Sequence, residues 1–304
     1  MQKNLFRKKR RGSYADKIFD IVNVIIMIIL IIVFAWPLWF VLIASISSPR
    51  EVWLGNVLLF PKNITFLSYE KLLAYKNIWV GYGNTIFYTI VGTLMNLVLT
   101  VCCAYPLSRK DFMPRRILLL LFMFTMYFSG GMIPRYLIVN KLGLLNTRWA
   151  MIIPNVISVY NMVIVRTYFV NSIPNELQEA AFLDGANSAQ YLFKVVLPLS
   201  KPVLAVIGLY YGVEHWNDFY SALLYIYDES LLPLQSFLRD LLMTSKLALD
   251  TSNGMDATAI EAQAQLAETL KYSTIIVAAI PILCVYPFIQ KFFVKGVMIG
   301  SVKG

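Results

Sequence analysis

The sequence is poor in charged residues. Asp, Glu, Lys and Arg together make up 14% of its 304 residues, whereas a soluble globular chain carries roughly 25%. Hydrophobic residues account for 58%, and the mean hydropathy is +0.64. This composition excludes an ordinary soluble domain and predicts an integral membrane protein with one helical bundle packed in lipid.

Cysteine and histidine are also scarce, which argues against metal, disulfide and acid–base chemistry. The three cysteines, Cys102, Cys103 and Cys284, all lie in apolar runs, and His215 is the single histidine. Free cysteines in such runs usually behave as small hydrophobic residues. The sequence contains no nucleophile–base set and no phosphate loop of the form G-x-x-x-x-G-K-S/T. We therefore expect no catalytic residue, no metal site and no cofactor on this chain, which is not predicted to be an enzyme.

Positive charge is concentrated at the N-terminus. Seven of the 27 Lys and Arg residues lie in the first 17 positions, and the net charge is +10. An apolar run begins directly behind them at residues 21–46, too long for the ~7–15-residue core of a signal peptide. We interpret residues 1–17 as a cytoplasmic topology signal and not as a nucleic-acid-binding arm.

Six apolar segments follow, and residues 18–304 are predicted to form an all-α domain of six transmembrane helices. The predicted spans are residues 21–46, 84–107, 117–139, 150–170, 199–225 and 272–293. The third is expected to break at Ser129-Gly130-Gly131 and then to resume. With the N-terminus inside, 17 Lys and Arg lie on the inner side and 10 on the outer side, so both termini are predicted to be cytoplasmic.

The segments between the spans carry turn signals or charge. Residues 47–82 are predicted to lie outside, with one turn at Gly81-Tyr82-Gly83, and the loop of residues 108–116, with four basic residues, inside. Residues 226–271 are predicted to form an extracytoplasmic loop. Within it, residues 233–240 look helical, and residues 249–258, which contain Asn253-Gly254, are predicted to be mobile.

Residues 172–198 form a polar segment between the fourth and fifth predicted spans, here called the island. Ser172, Pro174 and Glu176 are typical of a helix start, and Gly185 is typical of the left-handed residue that ends one. A helix of about 12 residues would be ~18 Å long, too short to cross the ~30 Å hydrocarbon core. Asn187 is predicted to start a second short helix through residue 194, and Pro198 to mark the beginning of the fifth span. The residues alone leave open a plain amphipathic linker at the membrane surface.

The spacing within the island resembles a known signature. Glu179-Ala180-Ala181 is followed after three residues by Gly185, then after nine by Val195, and then by Leu197-Pro198. This pattern resembles the permease subunits of binding-protein-dependent ABC importers. The resemblance implies a type I importer permease in which residues 174–190 are the helix that couples to the ATPase. The coupling residues it implies are Glu179, Ala180, Ala181, Asp184, Gly185, Leu197 and Pro198.

The resemblance also implies partners and a substrate class. Trp216-Asn217-Asp218-Phe219-Tyr220, Pro233-Leu234-Gln235 and the ending at residues 295–304 are similar to the carbohydrate branch, related to the second permease of the maltose importer and to oligosaccharide importers. The implied partners are a second, homologous permease in a heterodimer, two ATP-binding subunits that carry ATP and Mg, and an extracytoplasmic sugar-binding protein. The implied location is the bacterial cytoplasmic membrane.

Polar residues in the fifth predicted span are candidates for a substrate path. Tyr211, Glu214, Asp218 and Ser221 recur at the spacing of one helix face. A charge near the bilayer centre costs ~2.5–3.5 kcal/mol, so such groups normally face a bundle interior or a water-filled path. The candidate path residues are Tyr211, Glu214, Trp216, Asn217, Asp218, Asn155 and Asn161. An alternative that remains open is that these groups bind neighbouring helices together.

Two other classes of function compete with an importer permease. An ion-coupled secondary transporter would work without an ATPase and usually has an internally repeated architecture, which the sequence does not reveal. A membrane scaffold would transport nothing. Co-purification of an ATPase subunit separates the three classes.

Overall fold

The computed structural model describes residues 14–250 and 257–300, and the regular structure in these ranges is entirely helical. The α-helices within them are α1 (Tyr14–Ser45), α2 (Pro49–Trp53), α3 (Leu67–Ala74), α4 (Lys76–Ser108), α5 (Arg115–Tyr127), α6 (Met132–Lys141), α7 (Val159–Ser172), α8 (Asn175–Leu183), α9 (Ser188–Tyr191), α10 (Leu197–Leu199), α11 (Lys201–Asn217), α12 (Tyr220–Tyr225), α13 (Leu234–Asp250) and α14 (Ala257–Gly300). Short 3₁₀ turns lie at Arg148–Met151, Ile153–Asn155 and Glu229–Leu231, and a π-helical turn lies at Leu192–Val196. The all-α prediction is confirmed for this part of the chain.

Up to six membrane spans can be recognised among the described residues. Three single helices are long and apolar enough to cross a membrane: Lys17–Ser45, Lys76–Ser108 and Ala264–Pro287. Three helix pairs would each make one bent span: Arg115–Tyr127 with Met132–Lys141 (bent by 114°), Arg148–Asn155 with Val159–Ser172 (52°) and Ser188–Leu199 with Lys201–Asn217 (80°). Five of these segments overlap the first four and the sixth predicted runs, and the predicted break in the third run coincides with the 114° bend. The fifth pair differs from the prediction, because its first half, Ser188–Leu199, belongs to the island and only Lys201–Asn217 lies in the predicted run.

The turn predicted at Gly81-Tyr82-Gly83 is wrong, because α4 begins at Lys76 and contains all three residues. The reason lies in packing. A Cβ on Gly81 would lie 3.1 Å from the Cα of Leu234. Glycine here permits the backbones of α4 and α13 to approach closely, so it does not interrupt the helix.

The fifth span ends earlier than predicted. Helix α11 stops at Asn217, eight residues before the predicted end at Tyr225, and Asp218 has an extended backbone (φ −75°, ψ 97°). The Oδ1 of Asp218 accepts a hydrogen bond from the backbone N–H of Ser221, 2.9 Å away, in the first turn of α12. Aspartate competes with helix continuation in this way. Tyr211 and Glu214 therefore do not share one continuous helix face with Asp218 and Ser221.

The predicted loop of residues 226–271 is partly helical. The helix expected at residues 233–240 is confirmed as the start of α13, whereas α14 begins at Ala257, 15 residues before the predicted sixth span. Residues 257–271 are rich in Ala, Glu, Gln and Leu, which are strong helix formers, and the part of α14 that is apolar enough to cross a membrane already begins at Ala264. Within the predicted mobile segment, residues 251–256 lie outside the described residues, as do residues 1–13 of the basic N-terminus.

Residue contacts divide the described chain into two units, 14–69 with 257–276 and 70–250 with 277–300. In the first unit, α1 is exposed along most of its apolar length and packs at its C-terminal end, where Ile43 and Ala44 are fully buried. The hydroxyl of Tyr69 donates to the Oγ of Ser45, 2.8 Å away. Exposed apolar side chains are what lipid requires of a spanning helix.

The second unit is built around α4, which packs against α5, α7, α11 and α13. Its buried positions recur about every four residues. They include Asn84, Tyr88, Gly92, Asn96 and Thr100. This spacing places them on one face of the helix. Polar contacts along this face of α4 therefore stabilise the unit in addition to apolar packing.

Candidate functional site

The first helix of the island is α8, and it ends in a tight left-handed turn. The backbone N–H of Ala186 donates to the carbonyl of Ala181 (2.9 Å), and the N–H of Gly185 donates to the carbonyl of Phe182 (3.1 Å). Gly185 has φ +79°. These two bonds around a left-handed glycine form a Schellman motif, which satisfies the last carbonyls of the helix. The helix end predicted at Gly185 is confirmed.

The second helix of the island starts from a reciprocal cap. The Oδ1 of Asn187 accepts from the N–H of Gln190 (2.8 Å), and the Oε1 of Gln190 accepts from the N–H of Asn187 (2.9 Å). The helix that begins at Ser188 does not stop near residue 194 but continues through the π-helical turn to Leu199. Proline lacks an N–H and its ring crowds the carbonyl four residues earlier; a π turn directly before Pro198 relieves this conflict. The bend to the next helix therefore lies at Ser200 and not at Pro198.

Helix α8 differs in length and in its start from the prediction. It contains nine residues, so it is about 14 Å long at 1.5 Å per residue. Ser172 is the last residue of α7, and Pro174 occupies the N-cap without a side-chain hydrogen bond. The shorter helix strengthens the prediction that α8 does not cross a membrane.

One face of α8 is exposed and the other is packed. The predicted coupling residues Glu179, Ala180, Asp184 and Gly185 are exposed. Ala181 is half-buried against the apolar core that contains Phe169 and Tyr191; of the two remaining coupling residues, Leu197 is half-buried and Pro198 exposed. Leu183, at the end of α8, is 90% exposed. Leu177 and Phe182 of the same helix are partly exposed too, at 39% and 40%, so Leu183 is the most exposed of three apolar side chains on α8.

The packed side of the island is fixed by an arginine that the sequence analysis counted as a loop charge. Arg109, directly after α4, is only 8% exposed. Its Nη1 donates to the Oε1 of Gln178 in α8, and its guanidinium lies 5.2 Å from the ring centroid of Tyr105 and 5.6 Å from that of Tyr191. The hydroxyl of Tyr105 also donates to the carbonyl of Ser188 (3.2 Å). Arg109 therefore contacts α4 and both helices of the island.

Two of the predicted path residues are engaged in packing. Tyr211 is fully buried, its hydroxyl lies 2.8 Å from the Oγ1 of Thr100, and it accepts the N–H of Ser158 at 3.1 Å. Trp216 is 6% exposed, and its Nε1 donates to the carbonyl of Ala278 (3.0 Å). In this conformation both side chains join helices.

Three other path residues lie near the end of α11. Glu214 is exposed. Asn217 is also exposed, and its Nδ2 donates to the carbonyl of Val213 (2.9 Å) while its Oδ1 accepts from Gln235 (3.4 Å). Asp218 lies directly before Phe219, the N-cap of α12, and accepts the hydrogen bond from Ser221 described above. The side chains of Glu214 and Asn217 are thus exposed, whereas the Asp218 carboxylate is engaged in a hydrogen bond within its own chain.

The two path residues before and within α7 contribute mainly through their backbones. The carbonyl of Asn155 accepts from the Nδ2 of Asn96 (3.1 Å), and the N–H of Asn161 donates to the N-cap Ser158 (3.4 Å). Asn161 is 5% exposed and Asn155 is half-buried. Ser158 also bonds to Tyr211, so Asn161 and Tyr211 share one hydrogen-bonding partner at the start of α7.

A buried hydrogen bond between His215 and Asn96 was not predicted from the sequence. The Nε2 of His215 lies 3.0 Å from the Oδ1 of Asn96, and a Cβ on Gly92 would lie 2.4 Å from the same nitrogen. Gly92, Asn96 and Thr100 follow one another at intervals of four. This spacing was the available signal, because it marks a helix face of small and polar residues inside an apolar run.

The second unit also contains a groove of about 610 Å³ between α4, α11 and α14. Its lining is almost entirely apolar and includes Ile90, Leu94, Gly208, Gly212, Trp216 and Ile282. A sugar needs hydrogen-bonding groups that such a lining does not supply. Trp216 is the only predicted path residue on it.

Comparisons with known proteins agree on the class of this chain. The family described as "Binding-protein-dependent transport system inner membrane component" matches residues 78–299. The chain is 39% identical to Protein LplC of Bacillus subtilis (96% of this chain, 97% of the relative). It is 37% identical to the polygalacturonan/rhamnogalacturonan transport system permease protein YtcP of the same organism (95% and 99%).

A solved structure gives the same result for the fold. The chain matches a chain of a bacterial ABC transporter involved in the import of the acidic polysaccharide alginate, with a TM-score of 0.82 and 35% identity, over 93% of this chain and 99% of that one. Together with the helical spans, these matches assign the chain to the cell membrane as a multi-pass protein. The chain belongs to the inner membrane component family of binding-protein-dependent transport systems and is a permease subunit of an ABC importer.

Proposed function

We propose that this chain moves oligosaccharides across the cytoplasmic membrane, with residues 174–190 as the segment that couples it to an ATPase. The observation that carries the proposal is the geometry of α8, a short helix exposed on the face of Glu179 and Ala180 and closed by a Schellman motif at Gly185. A rigid, exposed helix of this kind is suited to dock in a groove of another protein.

The proposed complex contains a second, homologous permease, two ATP-binding subunits and an extracytoplasmic sugar-binding protein. ATP and Mg would bind on the ATPases, since the sequence has no phosphate loop of the form given above. The family description, which refers to binding-protein-dependent transport, supports this assembly. Both termini are proposed to be cytoplasmic, in agreement with the distribution of Lys and Arg.

In the proposed mechanism, the ATPases approach one another on binding ATP and displace α8. Spans on either side of the island, α7 before it and α11 after it, would then shift and expose the substrate path alternately to the two sides of the membrane. Glu179, Ala180, Ala181, Asp184, Gly185, Leu197 and Pro198 belong to the coupling segment.

An acidic oligosaccharide is the proposed substrate class. It is supported by two similar proteins, one a permease for polygalacturonan/rhamnogalacturonan transport and one a chain of an importer of the acidic polysaccharide alginate. Glu214 and Asn217, both exposed, are proposed to contact the solute. Tyr211, Trp216, Asp218, Asn155 and Asn161 are proposed to shape the path through the contacts described above.

The decisive experiment is uptake by the purified complex in proteoliposomes. With the binding protein, its oligosaccharide and trapped ATP, we expect accumulation that persists when ionophores collapse all ion gradients. Uptake that needs an ion gradient and no ATPase would instead identify a secondary transporter. Absence of an ATPase after purification of the tagged chain, together with absence of uptake, would identify a scaffold.

The turn at Gly185 gives a first test of the coupling segment. Replacing Gly185 with valine places a β-branched residue at φ +79°, which costs about 1–2 kcal/mol and lowers the equilibrium constant for forming the native turn by about 5- to 30-fold. An added Cβ meets nothing within 4 Å, so the cost is conformational and not steric. We expect the uptake per ATP hydrolysed to fall by a comparable factor.

Gly185→Asn is the matched control, because asparagine tolerates the left-handed conformation better than valine does. We expect the Asn variant to retain most of the uptake per ATP hydrolysed. Equal losses in the two variants would show that the backbone conformation at this position does not matter for coupling.

A further inference from the structure

We propose that Arg109 is a positioning residue that makes the end of α4 and both helices of the island move as one body. The inference rests on the proposed function of the island. It concerns the Arg109 clamp, defined as Arg109 with Tyr105, Gln178 and Tyr191. Through this clamp, a displacement of α8 would pass directly to the second span and not only through the chain connections to α7 and α11.

The burial of Arg109 is the first support. The residue is 8% exposed. Among the described side chains, it forms no ion pair with a carboxylate at an N–O distance of 4.0 Å or less. Burying a guanidinium without a counter-ion is costly, so the groups that do surround it must compensate. Here those groups are two aromatic faces, the Gln178 amide oxygen and the Oγ of Ser108.

The connectivity of the clamp is the second support. Gln178 lies in α8, Tyr191 in α9 and Tyr105 in α4, so one side chain joins three helices. The ring of Tyr191 also meets Phe182 of α8 edge to face, with centroids 6.1 Å apart. A planar guanidinium can stack on rings and donate in its plane at once, whereas the lysine ammonium cannot.

The path from the clamp into the spans is the third support. The Nε of Arg166 in α7 donates to the carbonyl of Leu107 (3.0 Å), which lies between the clamp residues Tyr105 and Arg109. Farther along α4, Thr100 contacts Tyr211 and Asn96 contacts His215, and both partners lie in α11. Movement of the end of α4 is therefore transmitted through hydrogen bonds to two other spans.

The clamp is tested by uptake per ATP hydrolysed, measured with the full reconstituted complex. Arg109→Gln removes the cation and the planar fork. We expect the uptake per ATP to fall about tenfold, a typical coupling factor between two sites, while ATP hydrolysis continues. Lys110→Gln is the charge-matched control, because Lys110 is exposed in the same loop; its ratio should equal that of the wild type.

A second pair of variants keeps the test valid if Arg109→Gln prevents assembly. The hydroxyl of Tyr191 is buried and has no hydrogen-bond partner among the described residues, so Tyr191→Phe preserves the ring face while Tyr191→Leu removes it. We expect the Leu variant to lose several-fold more of the uptake per ATP than the Phe variant. The melting temperature of each complex identifies a loss caused by unfolding.

The outcomes separate this proposal from the function on which it rests. Three outcomes would overturn the clamp alone. The first is wild-type uptake per ATP in Arg109→Gln. The second is an equal loss in Arg109→Gln and Lys110→Gln, and the third is equal uptake per ATP in the two Tyr191 variants. A wild-type complex without ATP-driven uptake would overturn the proposed function, and the clamp with it.

Discussion

Replacing Leu183 with aspartate should release the ATPase from the complex while leaving the permease folded. The side chain is 90% exposed and packs against little of its own chain, so its removal should not affect folding. Burying a leucine in an interface contributes about 1.5–3 kcal/mol, which corresponds to about 10- to 100-fold in affinity. A carboxylate in its place would also be desolvated on docking and would lie beside Asp184.

The measurement is the amount of ATPase that remains bound to the tagged permease during purification, with the dissociation constant obtained by titration. Leu142→Asp is the matched control. Leu142 is also an exposed leucine, 64% exposed at the end of α6, and it lies outside the island. We expect the ATPase to stay bound in this control. If the Leu183→Asp variant retained the ATPase, Leu183 at the end of α8 would not be part of the docking surface.

Leu183 illustrates which parts of the island local sequence chemistry could predict. The end of α8 at Gly185 follows from the conformational freedom of glycine, and the start of α9 follows from the cap that Asn187 can form. Both depend on residues within a few positions of one another. The exposure of Leu183 could not be predicted in this way, because a leucine at that spacing would equally suit a buried position.

Arg109 and Gly81 mark where local rules fail. Within its loop, Arg109 is one of four basic residues, and charge counting treats all four alike. Its burial depends on Tyr191 and Gln178, which lie about 70 to 80 residues away in the chain. Gly81 likewise looked like a turn residue, although its role is set by the backbone of Leu234. In both cases a tertiary contact overrides the local preference.

The start of α14 was predicted wrongly for a different reason. Hydropathy locates the part of a helix that lies in lipid. The predicted span, residues 272–293, overlaps the apolar window Ala264–Pro287 from residue 272 to its end and extends six residues past it. Residues 257–263, which precede this window, are strong helix formers, and hydropathy does not register backbone propensity. A membrane helix that continues past the membrane surface therefore needs two separate signals to be predicted correctly.

Replacing Gly92, on the buried face of α4, with alanine should have the second large effect, a loss of stability. An alanine there would place its Cβ 2.4 Å from the Nε2 and 2.6 Å from the Cε1 of His215. The imidazole is 6% exposed and hydrogen-bonded to Asn96, so it can move only by breaking that bond. Overpacking costs about 1–3 kcal/mol, and a buried polar group left without a partner costs about 1–3 kcal/mol more.

Alanine also gains about 1 kcal/mol of helix propensity at this position, which leaves a net cost of about 1–5 kcal/mol. We expect Gly92→Ala to lower the thermal midpoint of the detergent-purified chain by about 2–20 °C, at about 2–4 °C for each kcal/mol. Gly83→Ala is the control within the same helix, because nothing lies within 4 Å of an added Cβ there. Alanine is the better helix former by about 1 kcal/mol, so this control should be neutral or stabilising.

The double variant Gly92→Ala with His215→Ala decides whether the steric clash is the cause. Removing the imidazole makes room for the new methyl group, so the double variant should be more stable than the two single effects predict by addition. Residues in direct contact commonly show such non-additivity, of about 0.5–3 kcal/mol. Strict additivity, or a wild-type midpoint in Gly92→Ala, would mean that His215 does not pack on Gly92. Agreement would establish that the contact between α4 and α11 requires glycine at this position, next to the hydrogen bond through which we propose that movement of α4 reaches α11.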